Sequence, residues 1–151
     1  MNDYKLSEDA DYLAHADYLM NGDYAGAIGH LEKTLGRARS SGAIMTASLL
    51  LKVIGTMYHF ANKRTEAEAA FAAADRESGQ SPQIRFFIVS FYDEHGEDRD
   101  AALHWLRQIL EPGHLTSLDQ SDCSEEEMKY RRYYTRKAAE MFARLIAPKE
   151  S

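Results

Sequence analysis

A chain of 151 residues with 44% hydrophobic and 11% aromatic side chains is long enough to bury a core as one domain. Its net charge of −6 argues against nonspecific attraction to nucleic acid or to an anionic membrane surface. Its single cysteine, Cys123, excludes an intramolecular disulfide and agrees with a reducing compartment.

The amino-terminal run Met1-Asn2-Asp3-Tyr4-Lys5 is polar and lacks the apolar core of a secretory signal. The longest apolar stretch, Ala47 to Ile54, is interrupted by Ser48 and Lys52, so no bilayer-spanning segment is predicted. The reading is a cytoplasmic protein with no membrane partner. With three prolines in the whole chain, the expected architecture is all-α.

The first helix is predicted to start after Ser7, ahead of the acidic turn Glu8-Asp9. From there a spacing pattern recurs in three copies. Ala27 is followed four residues later by Leu31, Ala67 by Phe71, and Ala101 by Trp105. Five residues before each alanine stands a turn-former: Gly22, Asn62 and Gly96. Nine residues before it is a tyrosine, Tyr18, Tyr58 or Tyr92, and thirteen before it Ala14, Ile54 or Ile88. Each copy therefore reads as a helix, a tight turn and a returning helix.

In the middle copy Leu51, Ile54 and Tyr58 make one helical face, and Ala67, Phe71 and Ala74 answer it on the return. Gly55 and Ala67 allow close approach of the two backbones, and Phe71 is expected to fill the gap to a neighbouring hairpin. Thr65-Glu66-Ala67-Glu68 has the form of a capping box, and Ser81-Pro82 places a cap before a proline at the first helical position. Gly79 and Gly113 stand just past the ends of periodic stretches, where a left-handed residue is wanted.

Leu51-x-x-Ile54-Gly55-x-x-Tyr58 followed by Ala67-x-x-x-Phe71-x-x-Ala74 resembles the tetratricopeptide repeat, as does the turn Gly22-Asp23-Tyr24-Ala25-Gly26-Ala27-Ile28. The resemblance covers residues 8 to 112. It implies an α-α superhelix of three hairpins, about 8–40, 43–79 and 82–112, a loop over 113–123 and a capping helix over 124–147, all in a single domain 1–151. Two departures stand out. The small residue at Gly55 is replaced by His15 and Val89 in the other copies. The first offset between alanines is 40 residues, against 34 for the second, and the excess is placed between Arg37 and Ala43.

The capping helix opens at Ser124-Glu125-Glu126-Glu127 and is expected to end at Ile146, before Ala147-Pro148. Tyr134, Ala138, Met141 and Leu145 form its apolar stripe. Its segment from Lys129 to Lys137 carries the cations Lys129, Arg131, Arg132, Arg136 and Lys137 among three tyrosines. Glu125 with Lys129, Glu127 with Arg131, and Glu140 with Arg144 stand four residues apart and offset much of that charge. A solvated helix face or a dock for an acidic protein segment is favoured over nucleic acid.

Histidines 15, 30, 59, 95, 104 and 114 form no recognised ligand motif, and His30 and His104 are expected on outer faces. Cys123 stands in a polar loop beside Asp122 and Glu125, which are expected to raise its thiol pKa and blunt it, and no phosphate loop or nucleophile elbow is present. No metal, cofactor or catalytic residue is therefore predicted.

In tetratricopeptide proteins the first helix of each hairpin lines a concave, peptide-binding surface. That resemblance assigns Tyr12, Ala16 and Leu19 to it from the first copy. Lys52, Thr56, His59 and Phe60 come from the second, and Phe86, Ser90 and Asp93 from the third. The alternative is that Leu19, Phe60 and Phe86 are covered by terminal segments of the chain itself. The cationic clamp with which some repeat co-chaperones hold a carboxylate is missing, its positions being Tyr12, Ala16, Val53, Phe86 and Ser90. In size and layout the chain also resembles bacterial secretion chaperones that hold translocator proteins. The expected partner is a peptide or helix of another protein, held in an adaptor-like or chaperone-like groove. A structural subunit that assembles through its outer faces or its basic last helix, as a homo-oligomer or in a larger complex, is the alternative.

Overall fold

A computed structural model describes residues 4–95, 98–110 and 125–147. Every regular element among them is helical: a short 3-10 turn at Leu6–Glu8, then α1 (Ala10–Met20), α2 (Tyr24–Ser40), α3 (Ile44–Phe60), α4 (Arg64–Glu77), α5 (Pro82–His95), α6 (Arg99–Leu110) and α7 (Glu125–Ile146). The all-α, repeat-like class predicted from the spacing is thus what the chain adopts. None of these helices is long and apolar enough to cross a membrane.

Chain contacts group into two compact units, residues 1–80 and 81–151. In the first, α1 packs on α2, α2 on α3 and α3 on α4; in the second, α5 packs on α6 and α7 lies against both.

One turn geometry recurs along residues 4–80. Gly22, Gly42, Asn62 and Gly79 have φ of 72°, 73°, 61° and 70°, the left-handed values that end a helix sharply. At each, the amide of the next residue donates back to a carbonyl five positions earlier: Asp23 to Tyr18 at 2.8 Å, Ala43 to Ala38 at 3.0 Å, Lys63 to Tyr58 at 2.9 Å and Gln80 to Asp75 at 2.9 Å. These Schellman turns satisfy end-of-helix carbonyls and reverse the chain within three residues. The longer first offset is absorbed by helix length, since α2 and α3 have 17 residues each and α4 has 14.

Helix starts are partly capped as predicted and partly not. Asp9, not Ser7, caps α1, its carboxylate accepting from the Tyr12 amide at 2.9 Å. Asp23 caps α2 by accepting from Gly26 at 2.9 Å. The Thr65 capping box does not form: α4 already begins at Arg64, and the flanking Lys63 provides no side-chain cap. Pro82 is indeed the first residue of α5.

Cap positions also correct the third repeat register. Ala27, Ala67 and Ala102 each donate their amide to the carbonyl of the flanking residue four earlier, Asp23, Lys63 and Asp98. Ala102 and Leu106 are buried where Ala101 and Trp105 were expected. The corrected register sets small Ser90, not Val89, level with Gly55.

The core of the middle hairpin follows its composition. Phe71 is fully buried, and a Cβ added at Gly55 would stand 2.6 Å from its ring. Phe71 therefore fills the space above Gly55 of its own hairpin. In the first hairpin the roles reverse, with the Tyr18 ring from α1 lying over Gly26 of α2. Gly96, Gly113, Cys123, Ser124 and the loop predicted over 113–123 lie outside the described residues.

Candidate functional site

Two of the predicted groove helices, α1 and α3, belong to the unit of residues 1–80. On α1 Tyr12 and Leu19 are half-buried and Ala16 is exposed. None of the residues of α1 is fully buried, and Leu13 and Met20 are 55% and 84% exposed. Leu13, Ala16 and Met20 recur at spacings of three and four, so they share a face. On α3 Lys52, Thr56 and His59 are half-buried and Phe60 is 37% exposed, and they fall on one stripe with the exposed Met45. Thr56 turns its hydroxyl inward to the Lys52 carbonyl at 3.0 Å. The Phe60 ring lies 6.0 Å from Tyr24, the residue that opens α2.

Leu13, Met20, Ile44 and Met45 escaped the sequence reading although they are more exposed than most of the residues it named. Part of their signal was present: Leu13 and Met20 stand one turn either side of Ala16, and Met45 stands two turns before Lys52.

The third predicted set sits differently. Phe86 has its ring 5.6 Å from Tyr134 of α7, and Phe87 meets the same tyrosine edge-on at 6.0 Å. Asp93 pairs with Arg144 at 2.8 Å, and Ser90 is half-buried. Phe86 and Asp93 are thus occupied by the chain's own last helix, which covers α5 as well as α6.

A polar clasp that the sequence reading missed fastens α1 to α2. Asp9, only 7% exposed, accepts from the Thr34 hydroxyl at 2.8 Å and from Arg37 Nε and Nη2 at 2.9 Å each, besides the Tyr12 amide and the Tyr4 hydroxyl. These donors, Arg37 foremost, hold the Asp9 carboxyl well below the usual carboxylate range. Asp11 joins through Arg37 at 2.5 Å and His30 at 2.7 Å, and the same two partners lower its pKa. His30 is therefore a half-buried clasp member, not an outer-face residue, whereas His104 is exposed as predicted. An open cleft of about 610 Å³ lies beside the clasp, between Tyr4, Glu8 and Arg37.

On α7, Lys129, Arg132 and Arg136 are exposed, whereas Arg131 and Lys137 are half-buried. Lys137 lies 4.0 Å from Glu140 and 5.7 Å from the centre of the Tyr133 ring. The predicted pairing of Glu140 with Arg144 gives way to Arg144 with Asp93. Among the described residues no group of three or more histidine, cysteine or acidic side chains is placed to hold a metal ion.

No family model, curated protein or solved structure matches this chain.

Proposed function

We propose that this chain is a tetratricopeptide-like protein-interaction module, an adaptor or chaperone-like protein of the cytoplasm, that holds a peptide or helix of another protein. The contact surface in this reading is the α1 and α3 faces of residues 4–80, and no catalytic role is assigned. One observation carries it: Leu13, Met20, Ile44, Met45 and Phe60 leave large apolar side chains at 37–84% exposure on the two first-of-hairpin helices. Apolar surface of this extent is costly in water and marks a place where another surface docks. Helices with half-exposed apolar stripes bind extended or helical segments through a few anchor side chains.

The test is affinity capture from native extract by the wild-type chain and by a Leu13→Glu/Met20→Glu/Phe60→Glu triple variant. These positions are exposed, so circular dichroism is expected to show an unchanged helical spectrum. A partner captured by wild type and lost by the folded variant supports the reading. A partner retained by both removes this surface from consideration.

A further inference from the structure

The described surface of α7 carries an arrangement that the groove reading does not use. Lys129, Arg132 and Arg136 stand at i, i+3 and i+7, so they lie along one face of the helix over a rise of about 10 Å. All three are exposed, and no hydrogen bond or ion pair joins them to a described residue. Among the described residues no ion pair joins Glu125 to Lys129, and Glu140 lies 4.0 Å from Lys137. Tyr133, 45% exposed, stands among the cations. The opposite face is fixed in place, with Tyr134 against Phe86 and Phe87 and Ala138 fully buried. The cations are thus presented by a rigid helix, and little ordering entropy remains to be lost at the backbone on binding.

The length of the stripe selects its occupant. Glu125 and Glu126, both exposed, precede it by one turn, and exposed Glu140 follows it by one turn. A long polyanion laid along α7 meets carboxylates at both ends, and the chain as a whole carries −6. On α7 the exposed large apolar side chains among the described residues are Tyr133 and Ile146, too few to give a membrane surface an apolar face to insert. A segment of two helical turns with acidic groups at matching intervals meets only the cations. We infer that Lys129, Arg132 and Arg136, with Tyr133 between them, form a second docking stripe for a short acidic helix of a partner protein.

The experiment uses the full chain and four fluorescent probes. The first is an alanine-based helical peptide with glutamates at i, i+3 and i+7, and the second is the same peptide with glutamines. The third is a single-stranded RNA of similar length, and the fourth a phosphatidylserine-containing vesicle. Anisotropy is expected to show salt-sensitive binding of the glutamate peptide, with affinity at least about tenfold lower for the glutamine peptide. An Arg132→Glu/Arg136→Glu variant is expected to lose the glutamate peptide by about tenfold and to gain a lysine-bearing counterpart, a swap that misfolding cannot produce. Equal binding of the glutamate and glutamine peptides overturns the inference. Preference for RNA or vesicle overturns it as well, and so does a folded charge-reversed variant that still binds the glutamate peptide as before.

Discussion

The Phe71 ring occupies the volume that any side chain at Gly55 would need, its nearest ring carbon 2.6 Å from the position of a Cβ. Glycine within a helix is disfavoured relative to alanine by about 1 kcal/mol, so its presence at a buried site of α3 reflects this contact. Gly55→Ala is therefore expected to destabilise the fold by about 1–3 kcal/mol despite the better helix former. Replacing Phe71 by leucine in the same chain relieves part of that loss, and a double-mutant cycle in urea measures the coupling. Independent, additive effects would refute the relationship.

Asp9 predicts a pH dependence with a definite sign. Its folded pKa lies below the ordinary carboxylate value because Arg37, Tyr4, Tyr12 and Thr34 all donate to the ionised form. A depressed folded pKa contributes stability that is fully present above the unfolded value, near pH 4, and is lost as pH falls through the folded value. Wild type should therefore lose stability below about pH 4 more steeply than Asp9→Asn, which is expected to be about 2–4 kcal/mol less stable at neutral pH. Thermal melts of both proteins across the acid range decide it.

The left-handed turns separate backbone cost from packing cost. Gly22 has φ of 72° and open space where a Cβ would be, so Gly22→Ala tests conformation alone. The expected loss is about 1–2 kcal/mol. Asn62 holds the same conformation with a side chain, and Asn62→Gly is expected to change stability by less than about 1 kcal/mol. Chemical denaturation of the pair checks the order.

On α7 the aromatic contacts should outweigh the ion pair. Tyr134→Ala removes the ring met by both Phe86 and Phe87 and is expected to cost about 1–3 kcal/mol. Arg144 is 59% exposed beside Asp93, so Arg144→Ala should cost no more than about 1 kcal/mol and less in high salt. A larger loss for Arg144→Ala would reverse this assignment.

The helical hairpins were legible because apolar spacing and left-handed turn residues are local signals. Gly22, Asn62 and Gly79 mark turns whatever the tertiary setting, and Pro82 marks a helix start. The third register slipped by one residue because Tyr92, Ala101 and Trp105 form a self-consistent pattern, and only the Asp98 cap reveals that Ala102 holds the repeat position. The clasp was illegible for another reason. Asp9 and Arg37 lie 28 residues apart, and charge pairing over that distance has no period to betray it. Likewise, the cover that Tyr134 places on Phe86 depends on where α7 docks, which its own apolar stripe does not say. The exposure of Leu13 and Met20 depends on what packs against α1, which its own pattern does not state.

Within residues 4–80 each described helix touches only the helices before and after it in the chain. Loops there close over three residues, so few distant segments must meet before packing is rewarded. Such low contact order places this part of the chain among fast folders, in the microsecond to millisecond range, and lets structure begin at any hairpin and spread to its neighbours. The α3–α4 pair, with Phe71 seated on Gly55, is expected to be among the first to form. Amide exchange should then slow from α1, with no buried residue, towards α3 and α4, giving a gradient of opening energies along the sequence.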